Sequence, residues 1–342
     1  MIRSGIETVL KHANRGQRRS GEPFDATSTI APPRGLHSWV HYGVMVPDLP
    51  EPHRTFGIMS IVGTPGVAIF ANDYAMRTTP RDTATLVSAT AAMTSGTFHS
   101  YSIREDCEFA EDGSRIRFGE DVLITGTYPR FEVHRKHPDA DVFLKLSATD
   151  KVTHFVDLPG GAYSHWSLLC QYEGTVGNTA VSGLCTFEYA RGVGLHTLPL
   201  PGTPKIPATF FTYHVMNIDE SRQLLYGEAR LAGQIRAIHS AHTRGLDEYG
   251  QDHPDAEFEV TAYEDEPRPT PDGRLMRLPK TFTLALNDDS PHNFNLRGQT
   301  NGDWAYGLGA GFVGSYCFEG TYAGEPVSGT AYIEYVDLEA TS

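Results

Sequence analysis

Apolar residues in this chain recur mostly at every second position, in short runs broken by Gly, Pro, Asn and Asp, the pattern of strands and turns. Leu36 to Val46 is the first such run, and alternation sets His37, Trp39 and His41 on one face. Phe56 to Phe70 reads as two strands around Gly63-Thr64-Pro65-Gly66. Leu86 to Met93 and Thr97 to Phe109 read as strands, and Asp112-Gly113 as a hairpin turn into Ile116 to Ile124. Thr127 to His134 and Val142 to Leu146 follow. The second half repeats the style with Phe210 to Met216, Leu224 to Ile235, Phe258 to Val260 and Phe282 to Leu286, while Ala237 to Asp255 reads as a polar loop. Helical spacing is confined to the start, where Ile2, Ile6, Val9 and Leu10 predict a short amphipathic helix that could pair with a second subunit in a homodimer. An arm rich in Arg, Ser, Gly and Pro comes next.

One pattern occurs twice. Residues 173–189 and 319–335 share Glu-Gly-Thr, then Val-Ser-Gly, then Glu-Tyr at the same spacing, with eight of seventeen positions identical and an offset of 146. Both copies read as a hairpin that closes its half of the chain, so a tandem duplication is expected. If the first hairpin turns at Gly177-Asn178, Cys170 stands opposite Cys185, as two buried thiols or, with strain, as a cross-strand disulfide. Setting Val44-Met45 on Val215-Met216 places Tyr42 on Tyr213, Trp39 on Phe210 and His41 on Thr212. The expected division is an N-terminal helix and arm over 1–34, a first domain over 35–192, a Pro-rich linker over 193–207 and a second domain over 208–342. The fold class is all-β, as two antiparallel β-barrel domains, since closing a sheet removes its edges.

Composition narrows the function classes. The net charge of −14 argues against nucleic acid or an anionic membrane surface as partner. No apolar run approaches a membrane span, and the first residues lack the core of a signal peptide, so a cytoplasmic protein is expected. The four cysteines have no metal-ligand spacing, and the chain has no Gly-x-Gly-x-x-Gly, Gly-Lys-Ser/Thr or Gly-x-Ser-x-Gly motif.

The opening Trp39-Val40-His41-Tyr42 and the Gly-x4-Glu-Tyr endings, Gly183 to Tyr189 and Gly329 to Tyr335, are similar to motifs of the tandem lipocalin-like superfamily. That group includes carotenoid hydratases, AttH-like proteins and Diels–Alderase-type cyclases. The chain departs from its pattern where Trp39 and His41 replace a tandem Trp, which suggests an uncharacterised branch. The resemblance implies two lipocalin-like barrels over residues 35–340, a ligand pocket in or between them, and cofactor-free chemistry on a bulky apolar molecule.

A feature present in both halves reads as scaffold, because one active site needs it once. On that argument Glu173/Glu319, Glu188/Glu334 and Tyr189/Tyr335 are structural, and polar residues that break the repeat are candidates. His41, Tyr101 and Glu228 are expected to transfer protons or hydrogen-bond the substrate. Trp39, Tyr42, His99, His165, Trp166, Tyr213, Tyr226, Arg230, Asp303 and Trp304 are expected to shape its pocket. The reaction expected is a cofactor-independent hydration, isomerisation or cyclisation of a terpenoid, polyketide or steroid-type molecule. A non-catalytic carrier of an apolar ligand is the alternative. A metal-dependent hydrolase or lyase is a further one, with His239, His242 and His253 beside Asp247 and Glu248, or His37 with His41, as histidine groupings. No metal or cofactor is assigned.

Overall fold

The computed structural model describes residues 18–197, 205–288 and 290–339. The helix expected over residues 2–12, and any dimer contact through it, lie outside the described residues.

The first sheet comprises β1 (Trp39–Val46), β2 (Phe56–Val62), β3 (Thr83–Thr90), β4 (Phe98–Ser102), β5 (Cys107–Phe109), β6 (Arg115–Phe118), β7 (Val122–Thr127), β8 (Arg130–Arg135), β9 (Val142–Asp157), β10 (Tyr163–Val176) and β11 (Thr179–Gly192). Its spatial order is β4-β3-β2-β1-β11-β10-β9-β8-β7-β6-β5, an antiparallel meander in which the first strand pairs with the last. The second sheet uses β12 (Ala208–Asn217), β13 (Arg222–Leu231), β14 (Ile235–Gly245), β15 (Gln251–His253) and β16 (Glu257–Tyr263). A small ribbon of β17 (Arg268–Pro269) and β18 (Leu275–Met276) interrupts it, and β19 (Pro279–Leu286), β20 (Phe294–Thr300), β21 (Ala305–Leu308), β22 (Gly311–Tyr322) and β23 (Glu325–Asp337) complete it. Its order, β15-β14-β13-β12-β23-β22-β20-β19-β16, repeats the plan. Both sheets curl into barrel or half-barrel shapes, the lipocalin-like architecture expected from the sequence.

The repeated hairpins are β10–β11 and β22–β23, paired in identical register: Glu173 opposes Ser182 and Glu319 opposes Ser328. Cys170 faces Cys185 as predicted, and both are free and buried. The opening strands differ from expectation by one residue. Gly43 pairs with Glu188 and Tyr213 with Glu334, so Tyr42 corresponds to Thr212 and His41 to Phe211. A one-residue shift exchanges the two faces of a strand. The hydrophobic pattern could not set this register, because β1 is buried on both faces at every position.

Three local expectations also change. Residues 63–70 form a loop and one 3₁₀ turn, Ala68–Phe70, in place of a second strand. Thr97 to Phe109 is broken by the one-turn helix α1 (Ile103–Asp106), whose N-cap Ser102 accepts a hydrogen bond from the Glu105 amide. The expected polar loop at 237–255 is largely strand, formed by β14 up to Gly245 and by β15. Its buried polar residues find partners: His242 pairs with Asp252 and Thr243 with His253, while Arg244 donates from Nη2 to Gln223 at 2.7 Å and, across to the first domain, from Nη1 to the Ser167 carbonyl at 2.6 Å.

Side chains fill both barrels. In the first, Phe131 stacks on Phe187 at 4.2 Å between ring centres, with Tyr42 and Tyr189 close by. In the second, buried His214 is surrounded by Tyr226, Phe258, Phe282 and Tyr316. Space for a ligand lies instead where the outward faces of the opening and closing strands of the two sheets meet. There the Tyr332 ring lies so close to Gly57 that a Cβ on Gly57 would come within 2.6 Å of it.

Candidate active site

A cavity of about 500 Å³ lies between the two barrels. Met59, Ile61 and Phe70 contribute apolar wall from the first domain, and Phe211, Leu231 and Ile238 from the second. Ile206, near the end of the expected linker, lines it and is 40% exposed. A volume of this size suits one apolar small molecule.

The polar groups are concentrated on the paired strands. Period-two geometry points His41, Gly43 and Met45 of β1 away from the first barrel core, and Glu188 and Ala190 of β11 with them. Ala190 pairs with His41 on one side and His165 on the other. The two imidazoles therefore flank it, and Glu188 rises one step along between Gly43 and Ser167. Gly43 supplies room for this: a Cβ there would stand 2.7 Å from His41 Nε2.

His41 Nδ1 is 2.8 Å from the Ser60 carbonyl, which only accepts, so Nδ1 carries a proton and donates. Nε2 of His41 lies 3.8 Å, and Nε2 of His165 3.6 Å, from Glu188 Oε2. Tyr213 reaches across from β12 and donates its hydroxyl to Glu188 Oε1 at 2.6 Å. Glu334, the repeat partner of Glu188, enters from β23 and accepts from the Tyr332 hydroxyl at 3.0 Å. Glu228 lines the second-domain wall, with Arg230 at 2.6 Å, Arg236 at 3.3 Å and the Tyr226 hydroxyl at 2.8 Å.

The two repeat glutamates differ in protonation. Burial pushes the Glu334 carboxyl up, the nearby Glu188 charge adds to this, and it titrates at about 8. Burial also acts to raise Glu188, but His165 and His41 outweigh it and hold the carboxyl below its ordinary range. Burial lowers the His165 imidazole. The Tyr213 hydroxyl is raised well above its ordinary value, by burial first and then by the Glu188 charge, so it stays a donor.

Of the residues singled out in the sequence, Trp39, His41, His165, Tyr213 and Glu228 line the cavity. The others lie elsewhere. Tyr42 and Trp166 face the first barrel core, as the corrected register requires. Tyr101 donates to Asp121 and packs on Phe118 in the first barrel, and half-buried His99 bonds to the Gly96 carbonyl. Tyr226 sits in the second core, and Arg230 stacks over Phe210 at that barrel's own mouth. Asp303 holds Ser315, and Trp304 donates to Glu264.

Glu188 and Glu334 were set aside by the duplication argument, yet both line the cavity. The clue was available: the same carboxylate sits at the same register on each closing strand, so facing sheets bring two copies together. Among the described residues, His41, His165 and Glu188 also form a group with potential ligand atoms within 4.8 Å of one another. The histidine groupings noted in the sequence are used differently. His242 pairs with Asp252, His253 with Thr243, and His37 with the Gly161 carbonyl.

The model of a family of unknown function, DUF6670, matches residues 59–342. No curated protein matches the chain. Among solved structures, a candidate AttH from Nitrosomonas europaea is similar at 12% identity and TM-score 0.54, covering 88% of this chain and 92% of that one. Kievitone hydratase from Nectria haematococca is similar at 12% identity and TM-score 0.49, covering 92% and 97%. CghA with Sch210972 is similar at 8% identity and TM-score 0.44, covering 93% and 95%. The AttH likeness is one of fold, and no described helix is long and apolar enough to cross a membrane.

Proposed function

The chain belongs to the family of unknown function DUF6670, and from the cavity we propose that it is an enzyme of the hydratase, isomerase or cyclase kind, acting on an apolar molecule of terpenoid, polyketide or steroid type. The observation that carries this reading is the meeting of an apolar cavity with two buried carboxyls, one from each barrel, set in opposite protonation states. Paired carboxyls whose environments drive them apart are the usual arrangement for an acid and a base in one site.

In this reading Glu334 holds a proton in an apolar setting and delivers it to an alkene or a conjugated carbonyl. The rings of Trp39 and Tyr163, 5.4 Å apart on the cavity wall, stabilise the positive charge that develops. The cluster of Glu188, His41 and His165 forms the basic side of the cavity, where a proton is taken from carbon or from an attacking water. Glu228, held by two arginines, is a fixed charge in the wall.

Incubating the protein with a panel of isoprenoid and polyketide-type molecules in labelled water tests this. Uptake of ¹⁸O marks hydration, deuterium uptake without ¹⁸O marks a proton-initiated isomerisation or cyclisation, and the carbon skeleton of the product by NMR tells these two apart. Turnover of at least one class is expected, and Glu334→Gln is expected to lower it by about 10²–10⁴-fold. Binding of the panel with no conversion would leave a carrier and overturn the enzymatic reading.

A further inference from the structure

We infer that Nε2 of His41, Nε2 of His165 and Oε2 of Glu188 form a binding site for one divalent transition-metal ion of the zinc or iron(II) kind. The three side chains come from adjacent strands β1, β10 and β11 on one face of the sheet. Two imidazoles and one carboxylate, converging from one side, are a known ligand set for these ions.

Hydrogen bonding on the outer atoms of the three groups supports the assignment. The Ser60 carbonyl takes the Nδ1 proton of His41, so a neutral ring presents a lone pair at Nε2, toward the carboxylate. The Tyr163 hydroxyl is 3.4 Å from His165 Nδ1, and His165 Nε2 is buried with no hydrogen-bond partner. Tyr213 occupies Oε1 of Glu188 and leaves Oε2 facing both rings. Metal-binding histidines and carboxylates are held through their second atom in this way, which fixes tautomer and direction. With both rings in the neutral Nδ1–H form, Nε2 of each ring and Oε2 of the carboxylate converge as three electron-pair donors, and a cation between them satisfies all three. Among the described residues, no lysine or arginine ion-pairs with Glu188, which is 1% exposed.

The Nε2–Oε2 separations of 3.8 and 3.6 Å exceed hydrogen-bond length. Ligands held at about 2.0–2.2 Å from one ion stand roughly 3–3.5 Å apart, so small side-chain rotations close the site. Among the described residues the set exists once. Around Glu334, the second domain has Phe211 where the first has His41, and Gly311 where it has His165. The site opens onto the cavity, so its remaining positions would take water or an oxygen of the molecule held there.

This inference rests on the cluster and not on turnover, so its test reads metal binding. Protein stripped with a chelator is titrated with Co(II) and Zn(II), followed by calorimetry and by the visible absorption of Co(II). One equivalent should bind, with two downfield exchangeable proton signals from the imidazole N–H groups of the Co(II) protein. His165→Ala and Glu188→Gln should each weaken binding on the order of 100-fold or more, and the surface variant His134→Ala should not. The wild-type proton signals decide the matter if a variant fails to fold. Absence of stoichiometric binding by folded wild type, leaving an imidazolium–carboxylate pair only, would overturn the site. Binding that survives both substitutions would overturn it too. Metal uptake without any turnover supports the site and counts against the enzymatic reading alone.

Discussion

Glu188 and Glu334 occupy the same position of a duplicated hairpin, yet their surroundings differ. Each sits on its closing strand, one residue before a core tyrosine, and each is pointed out of its own barrel by the same strand alternation. What differs is the neighbours. Glu188 has two imidazoles and a tyrosine from the other domain, while Glu334 has a tyrosine of its own strand. Duplication therefore places two carboxyls in one cavity, and a few substitutions around them set one as an anion and keep the other protonated. Symmetry in the scaffold thus sets two unlike carboxyls in one cavity.

The largest contrast is expected from leucine substitutions. Glu188→Leu leaves the two histidines and the Tyr213 hydroxyl without their shared partner, and should cost about 3 kcal/mol in urea unfolding. Glu334→Leu removes a buried neutral carboxyl and frees one tyrosine hydroxyl, so it should change stability by no more than about 1 kcal/mol. Equal costs would show that the two environments do not differ as described.

pH should separate the pair next. The Glu334 carboxyl titrates at about 8 in the fold, against 4.5 for an ordinary glutamate. Its contribution is fully present below the unfolded value and is lost as pH rises toward 8, because the folded state then binds the extra proton. Glu188 is lowered, so its contribution is present above the unfolded value and is lost as pH falls. Between pH 5 and 8, wild-type protein without metal should lose stability relative to Glu334→Gln, with a limiting slope of about 1.4 kcal/mol per pH unit. Parallel curves for the two proteins would remove the protonated Glu334.

The position that lets the first glutamate collect its histidines can be tested directly. Gly43→Ala puts a Cβ 2.7 Å from His41 Nε2 and must turn the ring or shift the strand. A cost of about 1–3 kcal/mol is expected, together with weaker Co(II) binding. An unperturbed variant would show that His41 does not need that space.

Much of this arrangement was legible in the sequence, and the failures have a common cause. Strands whose one face meets the core and the other meets water announced themselves, and the hairpin register, including Cys170 opposite Cys185, was readable to the residue. Where both faces are buried, alternation disappears. That cost one residue of register on β1 and so placed Tyr42 in the pocket rather than the core. On β14 the faces are buried but polar, with Ser240, His242 and Arg244 bonded internally, so the strand looked like a loop. The cavity combines both difficulties, because it is built from the outward faces of strands in two domains. His41 and His165 were still found, since they break the repeat, whereas the two glutamates were hidden by obeying it.

The smallest effect concerns the other repeated glutamates. Glu173 and Glu319 also match across the duplication, but both are exposed. Each lies opposite a basic residue on the neighbouring strand, Lys145 for Glu173 and Arg297 for Glu319. Exposed cross-strand pairs contribute little, so Glu173→Ala and Glu319→Ala should each change stability by less than about 1 kcal/mol and leave metal binding and turnover untouched. The two changes should also match one another, because here the duplication has left the neighbours alike. A large difference between them would show that repeat position, without the facing domain, already distinguishes the halves.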